Sequence, residues 1–245
     1  MTRCRGSVDS IESMGLLDGP GIRTVVFLNG CKLRCKYCHN PEMWNKKDSN
    51  YTPEELCERI IRNKPYFKNG GGVTFSGGEP ILQSDFIIEC AKILKKEGIN
   101  IAIDTAGVGN GNYEELLKNV DLVILDIKHT DRKEYEEITG RKMGEIDDFI
   151  SALNSSSVKV WIRQVIIPGI TDSKKYIDKL MDYLKKISNI ENVTFLPYHR
   201  LGREKYIKLN IPYPYEDKKD MDKDRCNELY DYFLKKTVIK WFFVK

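Results

Sequence analysis

The stretches INIAID (99–104) and DLVILDI (121–127), joined by a polar segment with helical spacing, decide the fold class of this chain. Both are short runs of β-branched and aliphatic residues, the pattern of buried parallel strands. Working outward, IRTVVFLN (22–29) and residues 72–76 repeat the pattern upstream. VKVWIRQVII (158–167) and 192–196 repeat it downstream, and a last apolar run occupies 237–244. Helical segments with recognisable caps lie between them. Thr52-Pro53-Glu54-Glu55 reads as a capping box with proline in the first turn, Ser84 and Asp172 are expected to cap the helices that follow them, and Gly98 is expected to close the helix from 85. Six strand-then-helix units force parallel strands with right-handed crossovers, so the class is α/β. Alternation alone does not separate a partial barrel from an open doubly wound sheet. Either architecture puts the functional site on the loops after the carboxyl ends of the strands. The longest irregular stretch is 200–220, and no linker divides the chain, so residues 1–245 are expected to form one domain.

Composition excludes several function classes. With 41% hydrophobic and 31% charged residues among 245, the chain is expected to fold around a real core. No apolar run exceeds four residues, against the roughly 20 that a membrane helix needs. The first fifteen residues, MTRCRGSVDSIESMG, lack the apolar stretch of a secretory signal, which makes the cytoplasm the expected compartment. A net charge of +4, dispersed along the chain, is too weak a signal for a nucleic-acid partner.

Seven cysteines divide by context. Cys57, beside Leu56, Ile60 and Ile61, and Cys90, between Phe86 and Leu94, have the spacing of core residues. Cys4 and Cys226 stand alone. Cys31, Cys35 and Cys38 converge within eight positions directly after the first strand of the repeat, on a loop that Gly30 makes pliable. Structural zinc normally takes four protein ligands, and no second Cys pair offers them, although His39 could complete a Cys3His set. A 4Fe-4S cluster held by three cysteines leaves one iron without a protein ligand, where a substrate or cofactor can bind. Gly77-Gly78-Glu79-Pro80 follows the next strand. It reads equally as a tight turn or as a backbone-exposed loop whose carboxylate holds an ammonium group.

The spacing Cys-x3-Cys-x-Tyr-Cys followed by Gly-Gly-Glu-Pro resembles the radical S-adenosylmethionine superfamily. Asp18-Gly-Pro-Gly-Ile-Arg23, Cys38-His-Asn-Pro41, Thr74-Phe-Ser-Gly-Gly-Glu79, Leu125-Asp-Ile-Lys128, Val160-Trp-Ile-Arg163 and Leu196-Pro-Tyr-His199 narrow the resemblance to the pyruvate formate-lyase activating enzymes, with matches from about residue 7 to 203. That resemblance implies a partial (β/α)6 barrel of parallel strands with its site at the C-terminal ends of the strands. It implies Cys31, Cys35 and Cys38 as ligands of a 4Fe-4S cluster, and S-adenosylmethionine as the cofactor on the fourth iron. It also implies that Gly77, Gly78 and Glu79 receive the methionine ammonium, with Tyr37 and His39 flanking the adenine. Asp126, Lys128, Arg163 and His199 match positions around the ribose, carboxylate and sulfonium. Asp104, Thr105 and Asp126 match the ligands of a monovalent cation, Na+ or K+, and Asp18 matches a contact to the protein substrate.

Taken singly, these residues have plainer readings: strand-end aspartates cap helices, and Lys128 or Arg163 can be a surface ion pair. Their recurrence at successive strand ends is what favours function. The implied activity is reductive cleavage of S-adenosylmethionine and removal of hydrogen from a backbone glycine of a glycyl radical enzyme, pyruvate formate-lyase. The cluster would be reduced by flavodoxin or ferredoxin, because the sequence carries no second cluster motif; residues 41–70, with only Cys57, lack the inserted ferredoxin module of some relatives. A monomer is expected. The alternatives are an activase of another glycyl radical enzyme, such as anaerobic ribonucleotide reductase, and a non-catalytic iron-sulfur or zinc regulatory module.

Overall fold

The structure, a computed structural model, describes residues 4–237. Six strands are parallel and follow the sequence in spatial order: β2 (Arg23–Leu28), β3 (Gly72–Gly77), β4 (Asn100–Thr105), β5 (Leu122–Ile127), β6 (Lys159–Ile166) and β7 (Ile190–Pro197). They agree with the six expected strands to within two residues at every end. The run at 237–244 lies outside the described residues except for Thr237, which ends the last helix. A seventh strand, β1 (Val8–Gly15), pairs antiparallel with β2 and went unread in the sequence. Its side chains are mostly exposed or half-buried, so VDSIESMG lacks the apolar signal of its neighbours. The sheet runs from β1 to β7 as a partial (β/α)6 barrel.

Helices α1 (Pro53–Ile61), α2 (Ser84–Lys96), α3 (Tyr113–Asn119), α4 (Arg132–Thr139), α5 (Gly144–Asn154) and α6 (Lys174–Leu184) connect the parallel strands, and α7 (Arg203–Lys208) and α8 (Lys223–Lys236) follow β7. The capping box at Thr52 forms, with Glu55 N donating to Thr52 Oγ1 at 3.2 Å and Thr52 N to Glu55 Oε2 at 2.8 Å. Gly98, at φ 67°, closes α2 through its N–H on Lys95 O at 3.0 Å. Two expected caps are corrected. Ser84 lies inside α2 and donates to Ile81 O at 2.6 Å, because a 3-10 turn, Pro80–Gln83, leads straight into the helix. Asp172 accepts from Gly169 N in the preceding turn, and Ser173 caps α6 instead. Nor is 200–220 wholly irregular: α7 forms within it around the buried Tyr206.

Strand periodicity sorts the side chains. Val73, Phe75, Ile101, Ile103, Val123, Leu125 and Ile127 point outward into the main core beneath the helices, which also buries Cys57, Cys90 and Cys226. The alternate residues face into the barrel. Ala102, Leu122 and Ile124 fill its lower end with Trp161 packed against them. One step further along the same faces come Ser76, Asp104, Asp126 and Arg163, so apolar packing gives way to charge at the carboxyl ends of the strands.

Candidate active site

Past β2 the chain turns at Gly30, φ 97°, into the cysteine segment. Gly30 N donates to Met43 O at 2.8 Å and Cys31 N to Trp44 O at 3.0 Å, closing the segment into a loop. Arg34 N and Lys36 N donate to Thr139 O and Ile138 O at 2.8 and 2.9 Å, which fastens the loop to α4. Lys32 and Lys36 pair on the outside with Glu145 and Glu137. Cys31, Cys35 and Cys38 instead line a cavity of about 520 Å³ at the strand ends, and all three thiols are free. Burial pushes the Cys31 thiol up to about 12 and raises Cys35 and Cys38 in the same direction. Any metal that binds must therefore displace their protons. Cys38 Sγ already accepts a hydrogen bond from Asn40 N at 3.4 Å.

The glycine pair faces this loop. Gly78 N donates to Leu28 O and Glu79 N to Gly30 O, each at 2.8 Å. A Cβ on Gly78 would stand 2.4 Å from Gly30 O, and one on Gly77, where φ is 112°, would stand 2.4 Å from Leu28 N. Glycine at both positions is thus required for the two loops to approach. Glu79, 1% exposed, accepts from Thr105 Oγ1, from Ala106 N at 2.9 Å and from Ile81 N at 3.4 Å. Burial outweighs these three bonds and the nearby Lys128, pushing its carboxyl up to about 7.

The later strand ends supply paired charges. Lys128 Nζ lies 2.5 Å from Asp126 Oδ2 and 5.6 Å above the Tyr37 ring. Its burial opposes the positive charge, but Asp126, Tyr37 and Cys35 hold the ammonium well above its ordinary value. Arg163 Nη1 donates to Asp104 Oδ2 at 2.8 Å, while Nη2 donates to Leu17 O and stands 3.9 Å from Asp18. Burial raises the Asp18 carboxyl despite Arg163. His39 Nε2 lies 3.1 Å from His199 O, and the two rings are 4.3 Å apart. Burial lowers the His39 imidazole.

Asp18 is held from below by a fully buried arginine. Arg23 donates to Thr74 Oγ1 and Val73 O at 2.6 Å, to Asn100 Oδ1 at 2.9 Å and to Pro20 O at 3.2 Å. Thr74 Oγ1 donates onward to Asp18 O at 2.6 Å. The Asp-Gly-Pro-Gly-Ile-Arg stretch is thereby a rim loop with its own anchor.

All fifteen residues singled out from the sequence line this one cavity. Sequence reasoning missed Ser76, whose Oγ lies 3.2 Å from Asp104 Oδ2, and Asn40 and Ala106. Ser76 ends the 72–76 strand, so the strand-end rule would have found it. Buried polar atoms of three lining residues, Tyr37 Oη, Asp126 Oδ1 and His199 Nδ1, have no partner within the protein. Such atoms suit a polar ligand. Among the described residues, no three His, Cys, Asp or Glu side chains close on a point that a single metal ion would occupy. Three thiols spread along a cavity wall, with no fourth cysteine beside them, fit a four-iron cluster with one open iron better than a Cys3His zinc site.

Fold and site together define the class of partial-barrel proteins with a three-cysteine loop at the open end. The family model of the radical SAM superfamily matches residues 25–194. The chain is 56% identical over 229 residues to pyruvate formate-lyase-activating enzyme of Clostridium pasteurianum, covering 93% of this chain and 96% of the relative. It is 41% identical over 238 residues to the enzyme of the same name from Staphylococcus epidermidis, covering 93% and 95%. Among solved structures, a radical SAM methyltransferase from Sphaerobacter thermophilus shares the fold, with a TM-score of 0.63 at 16% identity over 87% of this chain and 64% of that one. The chain belongs to the radical SAM superfamily and, within it, to the family of the pyruvate formate-lyase-activating enzymes.

Proposed function

We propose that this chain activates pyruvate formate-lyase by removing hydrogen from a backbone glycine of that enzyme, leaving a glycyl radical. The observation that carries the reading is the meeting, in one cavity, of the three-cysteine loop, the buried Glu79 and the two charge pairs of the strand ends. Cys31, Cys35 and Cys38 are the residues that would hold a 4Fe-4S cluster. Bound there with S-adenosylmethionine, the cluster supplies a one-electron cleavage of the sulfonium and a hydrogen-abstracting adenosyl group.

The chain's own residues bind and orient. Glu79, deep in the cavity, is placed to take the methionine ammonium beside Gly77 and Gly78, and the ammonium would draw its carboxyl to the ionised form. Lys128, kept cationic by Asp126, offers a charge to the cofactor carboxylate. Tyr37 and His39 would flank the adenine, and Asp126, Arg163 and His199 would hold the ribose and sulfonium region. The unpartnered Asp126 Oδ1 supports a monovalent cation, Na+ or K+, shared with Asp104 and Thr105, although Arg163 and Lys128 compete for the same carboxylates. Asp18, on its Arg23-anchored rim, contacts the incoming substrate segment. Orientation and exclusion of water matter here because the abstracting group attacks whatever hydrogen it meets.

The reading takes 1–245 as one domain working as a cytoplasmic monomer, with flavodoxin or ferredoxin as electron donor. No helix among the described residues is long and apolar enough to cross a membrane. The test is anoxic reconstitution with iron and sulfide, then S-adenosylmethionine and dithionite, with chromatography for 5′-deoxyadenosine and methionine. Both products in equal amounts, lost in Cys35→Ala, are expected. A colourless protein that retains zinc would refute the reading.

A further inference from the structure

The wall that carries the cysteines has an outer face as well as the one that lines the cavity. Trp44 and Arg34 lie on that outer face, and neither lines the cavity. The Trp44 backbone is tied to the cysteine loop, its carbonyl accepting from Cys31 N at 3.0 Å. Its indole N–H donates to Cys38 Sγ; this bond and that of Asn40 N oppose the rise that burial imposes on the Cys38 thiol. The fully buried Tyr206 meets the indole edge-on at 5.8 Å. The Arg34 guanidinium covers the indole at 5.0 Å, with Nη1 donating to Cys31 O at 2.7 Å and to Leu33 O at 2.8 Å. Trp44 is half-buried and Arg34 exposed, so a single indole stands between solvent and one of the three site cysteines.

Most cations around this loop are neutralised: Lys32 by Glu145, Lys36 by Glu137, Lys47 by Asp9 and Lys205 by Glu42. Arg34, Lys46, Arg141 and Lys142 differ, being exposed and, among the described residues, in no ion pair. They gather on the outer side of the loop. Arg141 Nε donates to Lys32 O at 3.3 Å, a Cβ on Gly140 would stand 3.7 Å from Arg34 Cβ, and one on Gly30 would stand 3.6 Å from Lys46 Cβ. Exposed cations left unpaired draw an acidic surface, and tryptophan and arginine are among the side chains that most often anchor protein contacts.

We infer that Trp44 and Arg34, ringed by Lys46, Arg141 and Lys142, form the docking surface for an acidic one-electron carrier protein and the point at which its electron enters. This rests on the function proposed above, which requires a reductant for the cluster. The carrier is oxidised by one electron and the 4Fe-4S group reduced by one, with no bond made or broken. Transfer falls steeply with distance, and a carrier resting on Trp44 is one side chain away from Cys38. The face lies outside the cavity, so the docked carrier leaves S-adenosylmethionine in place.

Flavodoxin is the probe, compared on the parent, R141E/K142E, W44L and the control K96E. Two quantities are read: the Kd of oxidised flavodoxin for the unloaded protein at low and high salt, and the rate at which flavodoxin hydroquinone or dithionite bleaches the reconstituted cluster. R141E/K142E and W44L are each expected to raise the Kd at least about tenfold. High salt narrows the gap for R141E/K142E, whose effect is one of charge. Bleaching of R141E/K142E by flavodoxin slows in step with the Kd, while bleaching by dithionite and every value for K96E stay at the parent level. Because the Kd is read on the unloaded protein, a W44L protein that takes up no iron still decides the question. An unchanged Kd in both variants would overturn the inference, and so would a parent that binds no flavodoxin. An unchanged Kd with slower bleaching by both reductants would overturn it too, assigning these residues to holding the cysteine loop. If the parent forms no 5′-deoxyadenosine with dithionite, the functional reading falls first and takes the docking surface with it.

Discussion

Replacing Glu79 with glutamine gives a pH signature whose size follows from burial. The carboxyl is 1% exposed and is pushed up to about 7 from an ordinary value of 4.5. Between those two values the folded protein keeps a proton that the unfolded chain has lost, so stability falls as pH rises through the window. At about 1.4 kcal/mol per pH unit the full displacement amounts to about 3 kcal/mol, present below the unfolded value and lost above about 7. Guanidinium unfolding of the unloaded protein at pH 5 and pH 8, beside E79Q, isolates this contribution because other titrating groups cancel in the difference. Because pH 5 already lies above the unfolded value, the parent is expected to lose about 2.5 kcal/mol more than E79Q between the two pH values. A difference independent of pH would refute the reasoning from burial. By the same argument S-adenosylmethionine should bind more tightly as pH rises through about 7, since its ammonium pairs with the ionised carboxylate.

Loading the three-cysteine site should release about three protons, measurable by a pH indicator in weakly buffered solution, because burial holds all three thiols protonated beforehand. Cys90→Ala should leave cluster loading intact and cost about 1 kcal/mol in denaturant unfolding, as Cys90 is packed in the core, whereas Cys31→Ala should abolish loading. Asp126→Ala leaves the half-buried Lys128 without its carboxylate and should destabilise by about 2 kcal/mol, between the cost of breaking an exposed pair and a buried one; a loss below about 0.5 kcal/mol would contradict that figure. Gly78→Ala must push the turn away from Gly30 O, and the expected result is a folded protein by circular dichroism that loads little iron.

The parallel frame was legible because buried strands must be apolar on both faces, and INIAID and DLVILDI show that without ambiguity. The edge strand β1 was not, because VDSIESMG is mostly solvent-facing and its pairing depends on β2. Helix starts were half legible. Thr52 caps through its own local sequence, whereas Ser84 and Asp172 lost their expected roles to a 3-10 turn and a neighbouring serine that only the folded loops select. The lining of the cavity was legible in two ways: Cys31, Cys35, Cys38 and the Gly77–Glu79 turn through their local spacing, and the remaining strand-end residues only through the resemblance of the motifs that contain them. The pairing of Lys128 with Asp126, two residues away, lay within local reach. That of Arg163 with Asp104 and Leu17 was beyond it, because it joins segments far apart in the chain. Buried Arg23 was visible only as part of a motif, and its task of holding the rim loop depends on Thr74 and Asn100 on neighbouring strands.

The most direct measurement of the central claim is an anoxic electron paramagnetic resonance experiment. The reconstituted enzyme, S-adenosylmethionine and a reductant are mixed with pyruvate formate-lyase, and a carbon-centred radical on the partner is counted against the 5′-deoxyadenosine formed. The account predicts a glycyl signal on the partner that accumulates one-for-one with 5′-deoxyadenosine and disappears when the partner's radical-site glycine is replaced by alanine. Production of 5′-deoxyadenosine with no radical on pyruvate formate-lyase would contradict it.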